Sequence, residues 1–142
     1  MSLDMQRRWL RNLVLVLILS VIAGAIFGAY RYFIGDSSLH TGNTFVGALI
    51  DGNSDKTYKM LAAKTQQITA KGSWDSIVAG IHDSFGNQTP QYVETSKTKD
   101  SVVISYNVPR SDSSGINVFT VVLIPNGGLG THWQVTNFTS SQ

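Results

Sequence analysis

The stretch VVISYNVPRSDSSGINVFTVVLI, residues 102–124, decides the fold. Its first half alternates apolar and polar side chains with the period of two that is typical of a half-buried β-strand. Ile116–Ile124 is apolar on both faces, which predicts a strand in the centre of a sheet. The link Ser111–Gly115 is too short for a crossover, so the two strands are predicted to pair antiparallel.

Weaker strands flank this pair on both sides. Residues 91–97 form a polar strand, and residues 131–139 form the last strand, with Trp133 and Val135 on one face and Phe138 on the other. The links 99–100 and 126–130 are also short, so the four strands are predicted to form an antiparallel meander.

Upstream of Pro90 the apolar period is 3.6, which predicts three helices. The first follows capping candidates at 36–38 and ends at Asp51-Gly52-Asn53. The second and third begin near Asn53 or Ser54 and at Ser73, and Gly86-Asn87 ends the third. Their apolar faces are Phe45, Val46, Leu49 and Ile50; Tyr58, Leu61, Ala62, Thr65 and Ile68; and Trp74, Ile77, Val78, Ile81 and Phe85. The predicted domain, residues 36–142, is α+β, with three helices packed on a curved four-stranded antiparallel sheet.

A transmembrane helix is predicted before this domain. Leu13–Tyr30 is 18 residues without a charge, and its flanks extend the apolar segment to residues 13–34. Arg7, Arg8 and Arg11 precede the span and one arginine follows it, so residues 1–12 should be cytoplasmic and residues 36–142 outside. A cleaved signal peptide, with Ala23-Gly24-Ala25 as cleavage site, is the alternative. The link 36–38 is very short, so the domain should lie close to the membrane.

Small residues recur every four positions in this span, at Ser20, Gly24 and Gly28. Such a stripe lets two helices pack closely in lipid, so self-association through these residues is a hypothesis. Gly and Ala are also common in membrane helices without such a role.

Charge and composition exclude several classes of function. The chain has a net charge of +2, but its excess of basic residues lies before residue 36, so no basic surface for nucleic acid is expected. The chain has no cysteine, which excludes disulfides and thiolate metal sites. His40, His82 and His132 have no metal-ligand spacing, and neither a metal nor another cofactor is expected.

The stretch ALIDGNSDKTYKML, residues 48–61, resembles the opening of nuclear transport factor 2-like domains. The segments FTVVLIP, 119–125, and WQVTNF, 133–138, are similar to the last hairpin of that superfamily. The resemblance implies a cone-shaped α+β fold with a cavity between sheet and helices, and sheet-face dimers are common there. Its members include isomerases, dehydratases, hydrolases and non-enzymatic adaptors, some of them single-span scaffolds of bacterial envelopes.

The candidate lining of such a cavity is Tyr58, His82, Tyr106, Phe119 and Trp133. His82-Asp83 is the nearest approach to an acid–base pair, but adjacent helix positions point about 100° apart. No catalytic constellation is predicted. The leading hypothesis is therefore a membrane-anchored, non-enzymatic binding or assembly domain of the cell envelope, with a protein partner or a second copy of itself. Binding of a small apolar ligand and a cavity enzyme of the isomerase or hydrolase type are the alternatives.

Overall fold

The computed structural model describes residues 3–126 and 132–142. It divides into two units, residues 1–35 and 36–142, which are described separately. The helices are α1 (Leu3–Ile50), α2 (Ser54–Met60), α3 (Ala63–Ile68) and α4 (Lys71–Phe85). The strands are β1 (Gln91–Lys97), β2 (Val102–Pro109), β3 (Ile116–Pro125) and β4 (Trp133–Ser141). The α+β class, with helices before an antiparallel sheet, is confirmed.

The first unit is the N-terminal part of α1. Leu3–Ala29 is a segment of 27 residues whose most apolar window of 18 residues has a mean hydropathy of 2.5, so it is long and apolar enough to cross a membrane. No residue of this window is buried, whereas the core helix of a soluble protein is mostly buried. A helix of this kind near the N-terminus is typical of membrane anchors and of signal sequences alike.

No new helix begins at residues 36–38, contrary to the sequence prediction, because the bounds of α1 include them. Thr41 Oγ1 donates to the carbonyl of Ser37, four residues back, as hydroxyl side chains do inside a helix. The predicted end of the helix at Asp51-Gly52-Asn53 is confirmed. Gly52 has φ +78°, a left-handed conformation that glycine adopts without strain.

The prediction of a single second helix is wrong, because this segment forms two helices, α2 and α3. Asn53 caps α2 as predicted, its Oδ1 accepting from the Lys56 N–H at 3.1 Å. Leu61 then turns extended and forms an isolated parallel bridge with Val135 of β4. The Ala62 N–H donates to the Val135 carbonyl at 2.7 Å. Pairing with the sheet edge therefore interrupts the helix.

The third predicted helix is α4, and it begins at Lys71, with Ala70 rather than Ser73 at its N-cap. It ends at Gly86 as predicted, followed by Asn87 with φ +66°. Trp74, Val78 and Phe85 are buried, but Ile77 is 46% exposed and does not belong to the apolar face.

The sheet is an open antiparallel meander in the order β1-β2-β3-β4, as predicted. Ile104 pairs with Val121 and Tyr106 with Phe119, so these side chains share a face. This inner face packs against the helices and forms the core with Phe45, Leu49, Trp74, Val78 and Phe85.

A bulge in β4 corrects one assignment of the sequence analysis. Val135 pairs with Leu123 and Phe138 with Val121, and the register shifts between these two pairs. The extra residue turns Phe138 to the same face as Val135, so both contribute to the core instead of lying on opposite faces.

Candidate functional site

Tyr106, a predicted cavity residue, lies on the inner face of β2 and is only 1% exposed. Its hydroxyl donates to Asn43 Oδ1 of α1 at 2.8 Å. Burial raises the pKa of Tyr106 well above its usual value, and the nearby Tyr92 adds to the shift. The phenol therefore stays neutral at ordinary pH and holds α1 against the sheet.

Phe119 lies beside Tyr106 in the sheet and is fully buried. Its ring packs edge-on against Phe85 of α4 and Phe138 of β4, with centroid distances of 4.9 and 5.2 Å. Such T-shaped contacts add to the area that the ring buries. The ring of Phe119, on β3, thus packs against both α4 and β4.

Tyr58 and Trp133 use their polar atoms for contacts within residues 36–142. The Tyr58 hydroxyl donates to the carbonyl of Thr69 at 3.1 Å, which ties α2 to the end of α3. Trp133 Nε1–H donates to Ser37 Oγ at 2.9 Å, which ties the start of β4 to α1. Both side chains are half-buried and pack against the core.

His82 lies on the exposed side of α4, near the end of α1. Its Nδ1 is 2.7 Å from the carbonyl oxygen of Ile50, and its ring lies against Gly52. The imidazole therefore closes the last turn of α1. Of the five predicted cavity residues, Tyr106 and Phe119 are paired neighbours in the sheet, whereas Tyr58, His82 and Trp133 contact other elements. Their role as a ligand-binding lining remains a prediction.

Charged side chains of α2 and α4 meet at the surface. Lys71 Nζ lies 2.8 Å from Asp55 Oδ1 and also bonds to Asp75. The hydrogen bond to Asp55 is the main reason why the pKa of Lys71 is raised, and the bond from Lys71 lowers the pKa of Asp75. Within residues 3–126 and 132–142, no three acidic or histidine side chains are placed to hold a metal ion.

The outer face of the sheet, which is turned away from the helices, carries a stripe of apolar side chains. Every second residue of β3 points to it and is apolar except Thr120, giving the stripe Ile116, Val118, Thr120, Val122 and Ile124. Ile116 is 58% and Val118 36% exposed. Val103 of β2 pairs with Val122 and widens the stripe.

Uncharged side chains border this stripe. Apart from Val103, the residues paired with the stripe on β2 and β4 are Ser105, Asn107, Pro109, Gln134, Asn137, Thr139 and Ser141. On β1 the partners are Gln91, Glu94 and Ser96, so Glu94 is the one charged side chain paired across this face among the described strands. A central apolar stripe within a polar, uncharged border is typical of a protein–protein contact surface.

A second apolar surface lies beside α3 and was missed by the sequence analysis. Ile68, predicted to be in the buried face of one long helix, is 87% exposed. It borders a groove of about 520 Å³ whose lining is Ala62, Lys64, Thr65, Gln67, Ile68, Ile124 and Thr136. No residue of the helix itself signals the break at Leu61-Ala62, because the break depends on the distant strand β4.

Ser20, Gly24 and Gly28 belong to the first unit. The Ser20 hydroxyl donates to the Val16 carbonyl at 2.9 Å within the helix. A Cβ added at Gly24 or Gly28 would meet nothing within 4 Å, so space is open above both glycines. Packing of a second helix against this stripe remains a prediction.

The chain matches no known protein family, and no curated protein or solved structure matches it either. The fold and its surfaces define an α+β domain behind an apolar N-terminal helix. Membership of the nuclear transport factor 2-like superfamily remains a prediction from the resemblance.

Proposed function

We propose that the chain is a membrane-anchored, non-catalytic assembly domain that binds a second copy of itself through the outer face of its sheet. The apolar helix is the uncleaved anchor, the N-terminus is cytoplasmic, and residues 36–142 lie outside the membrane. The observation that carries the proposal is the apolar stripe Ile116–Ile124 on a face that the helices leave open.

The anchor is supported by the charge around the apolar helix. Arg7, Arg8 and Arg11 lie on one side of the uncharged stretch, and basic residues are retained on the cytoplasmic side of a span. The signal-peptide alternative predicts a different mature protein, because cleavage after Ala25 would remove the whole arginine cluster. Intact-mass measurement of the protein from membranes distinguishes these two outcomes.

The size of the outer face suits a protein partner. Strands lie about 4.8 Å apart and rise about 3.4 Å per residue, so four strands along the stripe span on the order of 500 Å² in projection. A standard interface buries about 800 Å² on each partner. The projected area leaves out the sides of protruding side chains and the residues that border the stripe, and both add to the area that can be buried. The outer face alone therefore provides most of the area of a standard interface.

A second copy fits this face because the face carries almost no charge. A two-fold axis parallel to β3 would place each stripe residue opposite its own copy, apolar against apolar. A face rich in one charge would repel itself in that arrangement, but here Glu94, on the edge strand, is the single charged side chain of the described outer face. Two copies anchored in one bilayer also share the same orientation, which favours such an axis.

Three of the side chains that were expected to line a ligand cavity have structural contacts instead, which favours assembly over ligand binding as the function. Tyr106, Phe119 and Trp133 are engaged in contacts that join helices to the sheet. The polar side-chain atoms of Tyr106 and Trp133 therefore already have partners within the fold.

The test uses two tagged forms of the full chain, co-expressed in membranes and solubilised in mild detergent. Val118→Asp places an unpaired carboxylate within the stripe and should abolish co-purification of the two forms. Ile77→Asp is the matched control, because Ile77 is also a partly exposed apolar residue, 46%, but lies on α4. Equal co-purification of the two variants would contradict the assembly role of the outer face.

A further inference from the structure

Ile68 is an isoleucine in an unusual place. It is 87% exposed, more than any other large apolar side chain among the described residues. It ends the six-residue helix α3 and stands beside the groove that Ile124 and Ala62 also line. Removing this apolar surface from water would be favourable, so the side chain and the groove beside it are suited to contact with an apolar surface.

The groove lies at one particular end of residues 36–142. Ile124 pairs with Gln134, and the next pair along the strands is Pro125 with Trp133. Trp133 donates to Ser37, at the beginning of this unit. The groove is therefore at the end where the chain enters the domain, called the entry end below.

The entry end is tied closely to the apolar helix by the covalent chain. Ser37 lies eight positions after Ala29, the last residue of the candidate span, with seven residues between them. A chain of eight residues reaches at most about 27 Å when extended and about 12 Å as a helix. Once the span is in a bilayer, the entry end cannot be far from its surface.

The charge at the two ends of the domain differs in sign. Three lysines lie at the entry end: Lys64 lines the groove, Lys97 is the last residue of β1, and Lys99 follows in the β1–β2 turn. Asp36 and Asp100 are the acidic residues of that end in the sequence. The opposite end, where α1 and α4 finish and β2 turns into β3, has Arg110 and three aspartates, Asp51, Asp83 and Asp112. Among the described residues Lys64 forms no ion pair.

We propose that the entry end rests on the bilayer surface, with Ile68 inserted among the lipids and Lys64 beside anionic headgroups. An apolar side chain next to a lysine is the combination that interfacial segments use to bind anionic membranes. The proposal rests on the anchor in the proposed function and does not require the sheet-face dimer. It gives the domain a fixed orientation on the membrane, with the opposite, acidic end farthest from the lipid.

The chain has no cysteine, so a single introduced cysteine can carry an environment-sensitive fluorophore. The full chain with Ile68→Cys is labelled and reconstituted in vesicles of phosphatidylcholine and phosphatidylglycerol that contain a lipid quencher at headgroup depth. Ile77→Cys and Ile116→Cys are the controls, since both residues are partly exposed but lie on α4 and at the far end of β3. Quenching at position 68 should exceed that at either control several-fold.

The contribution of charge is tested in the same vesicles. Lys64→Gln, combined with Lys97→Gln, should reduce the quenching at position 68, and vesicles of phosphatidylcholine alone should do the same. Both changes remove the attraction between lysines and anionic headgroups. Quenching at position 68 that is unchanged in both cases would overturn the part assigned to the lysines.

Three outcomes separate this proposal from the proposed function. Extraction of the chain from the vesicles by alkaline carbonate would overturn the anchor and the lipid contact together. An anchored chain whose label at 68 is quenched no more than the controls overturns the lipid contact alone. A blue-shifted label without lipid quenching would mean that protein covers Ile68, which also overturns it.

Discussion

At the level of single residues, Gly42 of α1 lies very close to the side chains of β2. A Cβ at this position would lie 2.6 Å from Tyr106 Oη and 2.9 Å from Ile104 Cδ1, both closer than side chains tolerate. The Tyr106 hydroxyl is also fixed by its bond to Asn43. The absence of a side chain at residue 42 is therefore what allows α1 to lie directly on β2.

Gly42→Ala should destabilise the fold by about 1–3 kcal/mol, because the added methyl forces the helix away from a packed sheet. Gly47→Ala is the control on the same helix, where an added Cβ meets nothing within 4 Å. Removing a helix-interior glycine there should stabilise by about 0.5–1 kcal/mol. Chemical denaturation of the full chain in detergent measures both. Equal changes in the two variants would mean that α1 does not approach β2 as described.

The buried hydroxyl of Tyr106 predicts a loss of stability at alkaline pH. Its folded-state pKa is raised by burial, whereas in the unfolded chain it is about 10, so the unfolded state loses the proton first. The neutral Tyr106 hydroxyl therefore makes its full contribution to the free energy of unfolding below about pH 10. Above that pH the free energy of unfolding falls, by up to about 1.4 kcal/mol per pH unit. Tyr106→Phe should show a shallower decline in denaturation series above pH 10. Parallel pH curves for the two proteins would contradict this.

At the level of helices and strands, pairing of Leu61 and Ala62 with β4 keeps α2 and α3 separate. Ala62, at the N-cap of α3, has φ −61° and ψ 150°, and its N–H donates to Val135. Ala70, at the N-cap of α4, has nearly the same conformation, φ −62° and ψ 141°. Among the hydrogen bonds of the described residues, none is donated by the Ala70 N–H.

Proline fits the backbone angles of both alanines, so the pair isolates one hydrogen bond. Ala62→Pro removes the donor to Val135 and should cost about 1–2 kcal/mol, since a buried carbonyl loses its partner. Ala70→Pro should be neutral or stabilise by up to about 1 kcal/mol through a smaller unfolded-state entropy. Thermal unfolding of the two variants checks this. Two variants of the same stability would show that the bridge to β4 does not hold the break.

The strands were predictable from the sequence because their signals are local. The alternation at Val102–Val108, the turn at Ser111–Gly115 and the apolar β3 define neighbours, partners and faces without any distant information. The helix break at Leu61 and the bulge that turns Phe138 inward depend on contacts between β4 and other elements, which no local period records. The sequence also predicted that a helix begins at residues 36–38, whereas α1 continues through them. Asp and Ser, which often cap helices, also occur inside a continuing helix, so their presence alone does not show where a helix begins.

The candidate sites were predictable only in part, for the same reason. The apolar outer positions of β3 follow from strand alternation, so the outer face was visible in the sequence. The exposure of Ile68 was not, since its spacing from Tyr58 and Leu61 is that of a buried helix face. Once the helix is interrupted, that spacing no longer relates Ile68 to the core.

For the whole molecule, the proposed function requires one fixed membrane topology. In intact cells, a membrane-impermeant maleimide should label Ser111→Cys, which lies in the exposed β2–β3 turn, but not Met5→Cys before the apolar stretch. The reason is that the arginines at 7, 8 and 11 retain the N-terminus in the cytoplasm. Lysed cells provide the control, since both cysteines should then react. Labelling of Met5→Cys alone in intact cells would reverse the orientation.

Disulfide crosslinking in native membranes can show whether two anchored copies meet through their outer sheet faces. In the cysteine-free chain, Val118→Cys would face its own copy across the interface and should give a covalent dimer under mild oxidation. Ile77→Cys, on α4, should remain monomeric under the same conditions. A monomeric Val118→Cys chain, or equal dimer formation by both variants, would contradict the account.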